Sequence, residues 1–246
     1  MKKILQITDT HLDEELTTHG YDVYGKLSLV LRETIEKEDF DLIIFSGDIT
    51  DKGSLKAYQW LAEKTKKYQD KIIWMAGNHD NIAHMEKALN FPFRVKLEKN
   101  KLNYQLNLNG VNILCLDTSE KSLSLPQINW LIESTNENTI TFIHHPPMIC
   151  GSGYMDKNHS LQNQEMLTEK LLTNPNKLFR FFCGHYHQES CFLHKNIQMF
   201  LTPSTMFQID KYKPYFQISN SQSGYRIIEI YQDKSIKTYC NYIHIN

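Results

Sequence analysis

Short apolar runs and amphipathic stretches take turns along the front of the chain. KILQI (Lys3 to Ile7) reads as a strand. LSLVLRETIEK places Leu27, Val30, Leu31 and Ile35 at helical spacing. DLIIFS reads as a buried strand, and LKAYQWLAEKTKKY as a helix with Leu55, Tyr58 and Leu61 on one face. KIIWMAG is another buried strand. This alternation predicts parallel βαβ units with helices covering the sheet. The middle of the chain changes character. NYQLNLNGVNILCLDT is two alternating runs around Asn109-Gly110, a strong hairpin signal. SLPQINWLIES follows as a helix, with Ser124 as N-cap and Gln127 completing a capping box. TITFIHHPP is a strand ended by prolines, SLQNQEMLTEKLLTN a helix with Ser160 as its N-cap, and LFRFFCG a strand. From Cys191 onward the pattern predicts short strands joined by loops. The expected fold class is α/β, a sandwich of two sheets flanked by helices. No repeat or linker divides the chain, so residues 1–246 are expected to form one domain.

Composition narrows the function classes. Of the 246 residues, 41% are hydrophobic, enough for a sizeable core. Lys+Arg (27) nearly matches Asp+Glu (28), a net charge of -1, so bulk charge points to neither a nucleic-acid polymer nor a membrane surface. Cys115, Cys150, Cys183, Cys191 and Cys240 are scattered, without a C-x-x-C, and read as small core residues in a reducing compartment. The start, MKKILQITDTHLDEE, has no apolar signal core. The expected location is the cytoplasm.

Polar clusters then recur at the carboxyl ends of the apolar runs. DTH brings Asp9 and His11, GDITD brings Asp48, and GNHD brings Asn78, His79 and Asp80. HHPP brings His144 and His145, and GHYH brings His185 and His187. In α/β sheets, ligands sit beyond the carboxyl ends of the strands, so these clusters are expected to converge on one edge. On an extended segment, His185 and His187 would point the same way, with Tyr186 turned to packing. The convergent set mixes carboxylate, amide and imidazole without cysteine, which suits manganese, iron or zinc. It exceeds one ion's needs and fits two ions roughly 3.5–4 Å apart with a shared carboxylate. Gly47, Gly77 and Gly184 would let the backbone turn beside them.

D-x-H, G-D, G-N-H-D, H-H-P-P and G-H-x-H in this order resemble the calcineurin-like metallophosphoesterase superfamily, over most of the chain. MDKNHSLQN, FFCGHYHQE and LTPSTMFQ resemble, more narrowly, the bacterial class III cyclic-AMP phosphodiesterases. The resemblance implies a metallophosphoesterase αββα sandwich, two mixed β-sheets flanked by helices, with the metal site at the carboxyl ends of the strands. It implies one metal on Asp9, His11, Asp48 and His187, and a second on Asp48, Asn78, His144 and His185. Iron and manganese are the expected ions, and zinc also fits. His145 is left out of the ligand set. His79 is expected to face the substrate phosphate as a catalytic residue, with Asp80 orienting its other nitrogen. Asn78, His159 and His187 are expected to meet substrate as well, and Asn163 is a weaker case. The loop 202–216 would border the base pocket or pack on its own domain or on a partner subunit.

The implied reaction is hydrolysis of a 3′,5′-cyclic nucleotide, cyclic AMP to 5′-AMP, by attack of a metal-bridging hydroxide on phosphorus. Broader phosphodiesterases, acting on glycerophosphodiesters or 2′,3′-cyclic nucleotides, share the same motifs, as do phosphomonoesterases. A non-catalytic scaffold would be expected to have lost ligands, and here every position is filled. The expected partner is a small cyclic nucleotide rather than a nucleic-acid polymer, and a homo-oligomer stays open.

Overall fold

The computed structural model describes residues 1–95 and 97–243. Lys2–Ile7, Leu42–Ser46 and Ile72–Met75 lie side by side and parallel. LIIFS and IIWM are buried at every position, as strands covered on both faces should be. The connections carry helices α1 (Val23–Glu33) and α2 (Leu55–Thr65). Ser54 Oγ caps α2 by accepting from Ala57 N at 3.2 Å. Helix α3 (Ile82–Ala88) packs against α2.

A second sheet of seven strands has Val111–Leu116, Thr139–Ile143, Phe179–Cys183 and Ile197–Leu201 parallel at its centre. Antiparallel strands complete both sides. The Asn109-Gly110 hairpin closes as expected: both residues have positive φ (54° and 81°), and Leu108 pairs with Val111. Helix α4 (Leu125–Ser134) starts on the predicted capping box of Ser124 and Gln127. One hydrophobic cluster draws on both sheets, from Ile4, Ile44 and Ile228 to Phe142, Phe181 and Met199. Each such fully buried side chain contributes about 1.5–3 kcal/mol. The result is the expected αββα sandwich of mixed sheets.

Three local readings change. The region after Cys191 ends in long strands, Ser223–Ile230 and Ile236–Ile243, which extend the first sheet antiparallel beside Lys2–Ile7. Arg226 interrupts the apolar pattern there, yet it is buried. Its guanidinium donates to Thr202 Oγ1 (3.0 Å), Leu201 O (2.8 Å) and Thr238 Oγ1 (3.0 Å), tying the two sheets together. Ser160 is not a helix cap. A short helix α5 (Gly153–Asn158) ends before it, and α6 (Gln164–Leu172) begins beyond Asn163. Between them Gln162 N donates to Lys121 O at 2.8 Å, which holds the chain out of helix. The cysteines are all free. Cys115, Cys150 and Cys183 are buried, Cys240 is half-buried, and Cys191 is exposed, against the expectation of a core residue. Among the described residues, no helix is long and apolar enough to cross a membrane.

Candidate metal centre

The parallel strands of both sheets run into the motif loops at one edge. The loops after the first two strands are zipped together: Asp9 N donates to Gly47 O (3.1 Å), His11 N to Asp48 O (3.1 Å) and Leu12 N to Ile49 O (3.0 Å). In the second sheet Gly184 N donates to His144 O (3.1 Å). His185 N donates to Asp9 Oδ2 at 3.0 Å and so joins the two sheets at the site.

Asp9, His11, Asp48, His185 and His187 all have positive φ, between 45° and 67°. The left-handed region costs an L-residue about 1–2 kcal/mol, and Asp and His are among the residues found there most often. This corrects the extended reading of GHYH. His185 and His187 converge because each sits in a left-handed kink. Tyr186 packs inward between them, its hydroxyl donating to Asp156 Oδ1 at 2.9 Å. Gly47 turns with positive φ, as expected. Gly77 and Gly184 serve close approach instead: an added Cβ would collide with Asp48 Oδ1 at the first and Thr8 Oγ1 at the second.

Two buried clusters result, Asp9 with His11 and His187, and Asp48 with His144 and His185, their donor atoms within 4.8 Å of one another in each. His187 Nε2 lies 3.4 Å from Asp9 Oδ1, and His144 Nε2 3.1 Å from Asp48 Oδ2. Asp48 Oδ2 is also 3.9 Å from His11 Nε2, so this carboxylate faces both clusters. His144 Nδ1 donates to Ser46 O (2.8 Å) and His187 Nδ1 to Phe207 O (3.1 Å), which leaves each Nε2 with its lone pair turned inward. His185 is held the other way round: Nε2 donates to His159 O (2.8 Å) and Nδ1 is the free nitrogen. His11 Nε2 and His187 Nε2 stand 3.2 Å apart.

The donor set fits cations. His144 Nε2 and Asn78 Oδ1 are buried with no hydrogen-bond partner, an arrangement that costs about 1–3 kcal/mol per group unless something else binds there. Burial opposes ionisation of Asp48 and Asp9, yet His144 and His11 around the first, and His187 and His144 around the second, hold both carboxyls well below the usual range. His144, which burial alone would lower, is pushed up to about 9 by Asp48 and Asp9. That rise is the trace of two buried carboxylates short of positive charge. Burial, with His144 beside it, pushes His185 down to about 3, and burial keeps His145 neutral too. A neutral imidazole is the ligating form. The arrangement is two His/Asp metal-binding groups side by side, a dinuclear centre.

His145 stands apart from the clusters: its Nδ1 meets Thr118 Oγ1 at 2.9 Å and its ring lies 4.1 Å from that of His185. The mouth of the site is a cavity of about 310 Å³. Asn78, His79, His159 and His187 all line it, while Asp9 and His144 lie behind its wall. Met206, Phe207, Ile209 and Phe216 also line it, so the 202–216 loop borders the cavity. Asn163 does not reach it. Its side chain is clamped to Leu123, accepting from N (3.1 Å) and donating to O (2.7 Å).

Asp80 is the clearest correction. Its carboxylate does not orient His79. It accepts from Ile49 N (3.1 Å), Thr50 N (3.0 Å), Gly77 N (2.9 Å) and Tyr58 OH (2.7 Å), and so pins two ligand loops together. The ring of His79 is held instead by Asp51, Nδ1 donating to its carbonyl at 2.9 Å. Asp51 went unremarked in the sequence beside Asp48. His19, exposed at the surface, also lines the cavity next to Phe207. Asp80→Ala is expected to lower thermal stability by about 3 kcal/mol, since several donors lose their acceptor at once. An unfolding midpoint unchanged in Asp80→Ala would show that these bonds carry no stability.

Comparisons agree with the fold. Residues 2–189 match the calcineurin-like phosphoesterase family model, and the chain belongs to that family as a metal-dependent phosphodiesterase. It is 33% identical over 231 residues to a probable cyclic nucleotide phosphodiesterase of Fibrobacter succinogenes, covering 92% of this chain and 89% of the relative. It is 31% identical to the 3′,5′-cyclic adenosine monophosphate phosphodiesterase CpdA of Haemophilus influenzae, covering 96% and 88%. A probable glycerophosphodiester phosphodiesterase GpdQ of Arcobacter nitrofigilis is 28% identical, covering 84% and 79%. A dimetal phosphatase from Danio rerio shares the fold, with TM-score 0.58 at 13% identity, covering 92% of this chain and 94% of that one.

Proposed function

We propose that this protein hydrolyses 3′,5′-cyclic nucleotides, cyclic AMP first, to the 5′-nucleotide. Asp9, His11, Asp48 and His187 would hold one cation, and Asp48, Asn78, His144 and His185 the other. Iron and manganese suit these donors best, with zinc an alternative. Two such cations supply charge to neutralise the phosphoryl oxygens and acidify a water. The overall change adds a water oxygen to phosphorus and breaks the bond to the 3′ oxygen, which takes up a proton. His79 is the proton donor. Asp51 O fixes its Nδ1–H as a donor, so in the protonated ring the Nε2 proton is the one given to the leaving oxygen, which leaves His79 neutral.

The observation that carries the substrate reading is the mixed lining of the cavity. Beside the polar ligand side chains, Tyr154, Met155, Met206, Phe207, Ile209 and Phe216 give its lining an apolar share. A purine base buries its faces against such side chains, whereas a glycerol group has little apolar surface to offer. The likeness to the Fibrobacter and Haemophilus proteins supports the same choice, and the Arcobacter relative keeps glycerophosphodiesters as the second reading. The test is a panel of cyclic AMP, cyclic GMP, 2′,3′-cyclic AMP, a glycerophosphodiester and a nitrophenyl diester, assayed on the metal-loaded protein. A preference outside the 3′,5′-cyclic nucleotides would overturn the reading.

Phe216 sits at the rim, 45% exposed, with its ring 5.8 Å from Tyr154 and 6.1 Å from Phe207. Base–aromatic stacking is worth about 1–3 kcal/mol. Phe216→Ala is therefore expected to raise KM for cyclic AMP about tenfold while KM for a glycerophosphodiester stays within about twofold. Equal rises for both substrates would refute a base contact at this ring.

A further inference from the structure

Among the imidazoles of the two clusters, three have their outward nitrogen held by the main chain: His144 by Ser46 O, His187 by Phe207 O and His185 by His159 O. His11 is the exception. Its Nδ1 is buried without an aligned hydrogen bond, and Asp51 Oδ1 stands 3.3 Å from it. Asp51 is well fixed for that position. Its N donates to Leu12 O at 2.9 Å, its carbonyl holds His79, and its side chain is only 15% exposed. A carboxylate behind a ligating imidazole fixes the tautomer and raises ligand basicity more than a neutral carbonyl does.

We propose that Asp51 is a positioning residue that holds His11 from behind and sets the cation affinity of the Asp9–His11–His187 cluster. This rests on the dinuclear reading above. Asp51 places a further carboxylate against His11 without entering either buried cluster. His11, Asp51 and His79 also form a group within 4.8 Å, but the partner that Asp51 offers His79 at bonding distance is its carbonyl. His79 Nδ1 is 3.6 Å from Asp51 Oδ1, farther than His11 Nδ1. The side chain therefore acts mainly on the ligand, and the main chain on the proton donor.

The test is equilibrium dialysis of the full chain against graded free Mn2+, with metal per chain read by elemental analysis and folding followed by circular dichroism. Wild type is expected to take up two ions. In Asp51→Ala one ion is expected to require about 10–100-fold more free Mn2+, the loss typical of such outer partners, while the other binds as before. Asp51→Asn keeps an oxygen for His11 Nδ1–H and is expected to fall between the two, which also serves should Asp51→Ala not fold. In a His11→Ala background, removing Asp51 is expected to cost nothing further, because its effect runs through that ring. Uptake of both ions at wild-type concentrations in Asp51→Ala and Asp51→Asn, or an equal weakening of both sites, would overturn the proposal. So would a drop in turnover with unchanged metal uptake, which would assign the side chain to His79. A wild-type chain that takes up no Mn2+ would overturn the dinuclear reading itself, and this inference with it.

Discussion

Asp48→Ala is expected to empty the dinuclear centre and abolish turnover. Asp48 faces both clusters, with His144 Nε2 at 3.1 Å and His11 Nε2 at 3.9 Å from Oδ2. Asp9 Oδ1 also reaches across, 3.4 Å from His187 Nε2 and 3.9 Å from His144 Nε2, but the motif resemblance gives the shared position to Asp48. The other oxygen of Asp48 accepts from His79 N at 2.9 Å, so the same side chain also sets the loop that carries the proton donor. A bound cation supplies several kcal/mol of transition-state charge stabilisation, and each 1.36 kcal/mol is tenfold in rate, so losing the shared carboxylate should cost at least about a thousandfold. Metal per chain should fall from two to below one at concentrations that saturate wild type. Asp48→Asn separates charge from shape. It retains an acceptor for His79 N and nearly the same volume, and should still lose metal if charge is what binds it. Elemental analysis alongside steady-state rates reads both. Either variant with full metal and full activity would remove Asp48 from the bridging role.

The parts of this site that could be read from the sequence are those the chain's periodicity controls. Parallel strands deliver their following loops to one edge, so Asp9, Asp48 and Asn78, each just past an apolar run, were bound to meet. The Asn109-Gly110 turn and the Ser124 capping box were legible for a similar reason: each is decided within a few residues. What stayed hidden depends on partners far along the chain. Asp80 looks like a mate for His79 because it is next to it, but its acceptor sites are filled by Ile49 and Thr50, about thirty residues away in sequence. The left-handed kinks at His185 and His187 follow from tethers to Asp9 and Phe207, and no strand period signals them. Asp51 hides for a different reason. It is one acid among many in a polar loop, and only the ring of His11 folded against it sets it apart.

His79→Ala is expected to leave metal content near wild type and slow the hydrolysis of cyclic AMP by about a hundred- to ten-thousandfold, the usual range for a lost general acid. The side chain is 40% exposed at the cavity and lies in neither of the two buried clusters, so its removal takes away no predicted metal ligand. The backbone amide of residue 79 can still donate to Asp48 Oδ1, since that bond does not involve the ring. The size of the defect should depend on the leaving group. A ribose 3′ alkoxide is a poor leaving group and needs the proton, whereas a nitrophenolate leaves without one. The variant should therefore approach wild-type rates on a nitrophenyl diester while staying slow on cyclic AMP. If instead both substrates slow by the same factor with metals in place, His79 acts by binding the phosphate in ground state and transition state alike, and the proton must come from elsewhere in the cavity.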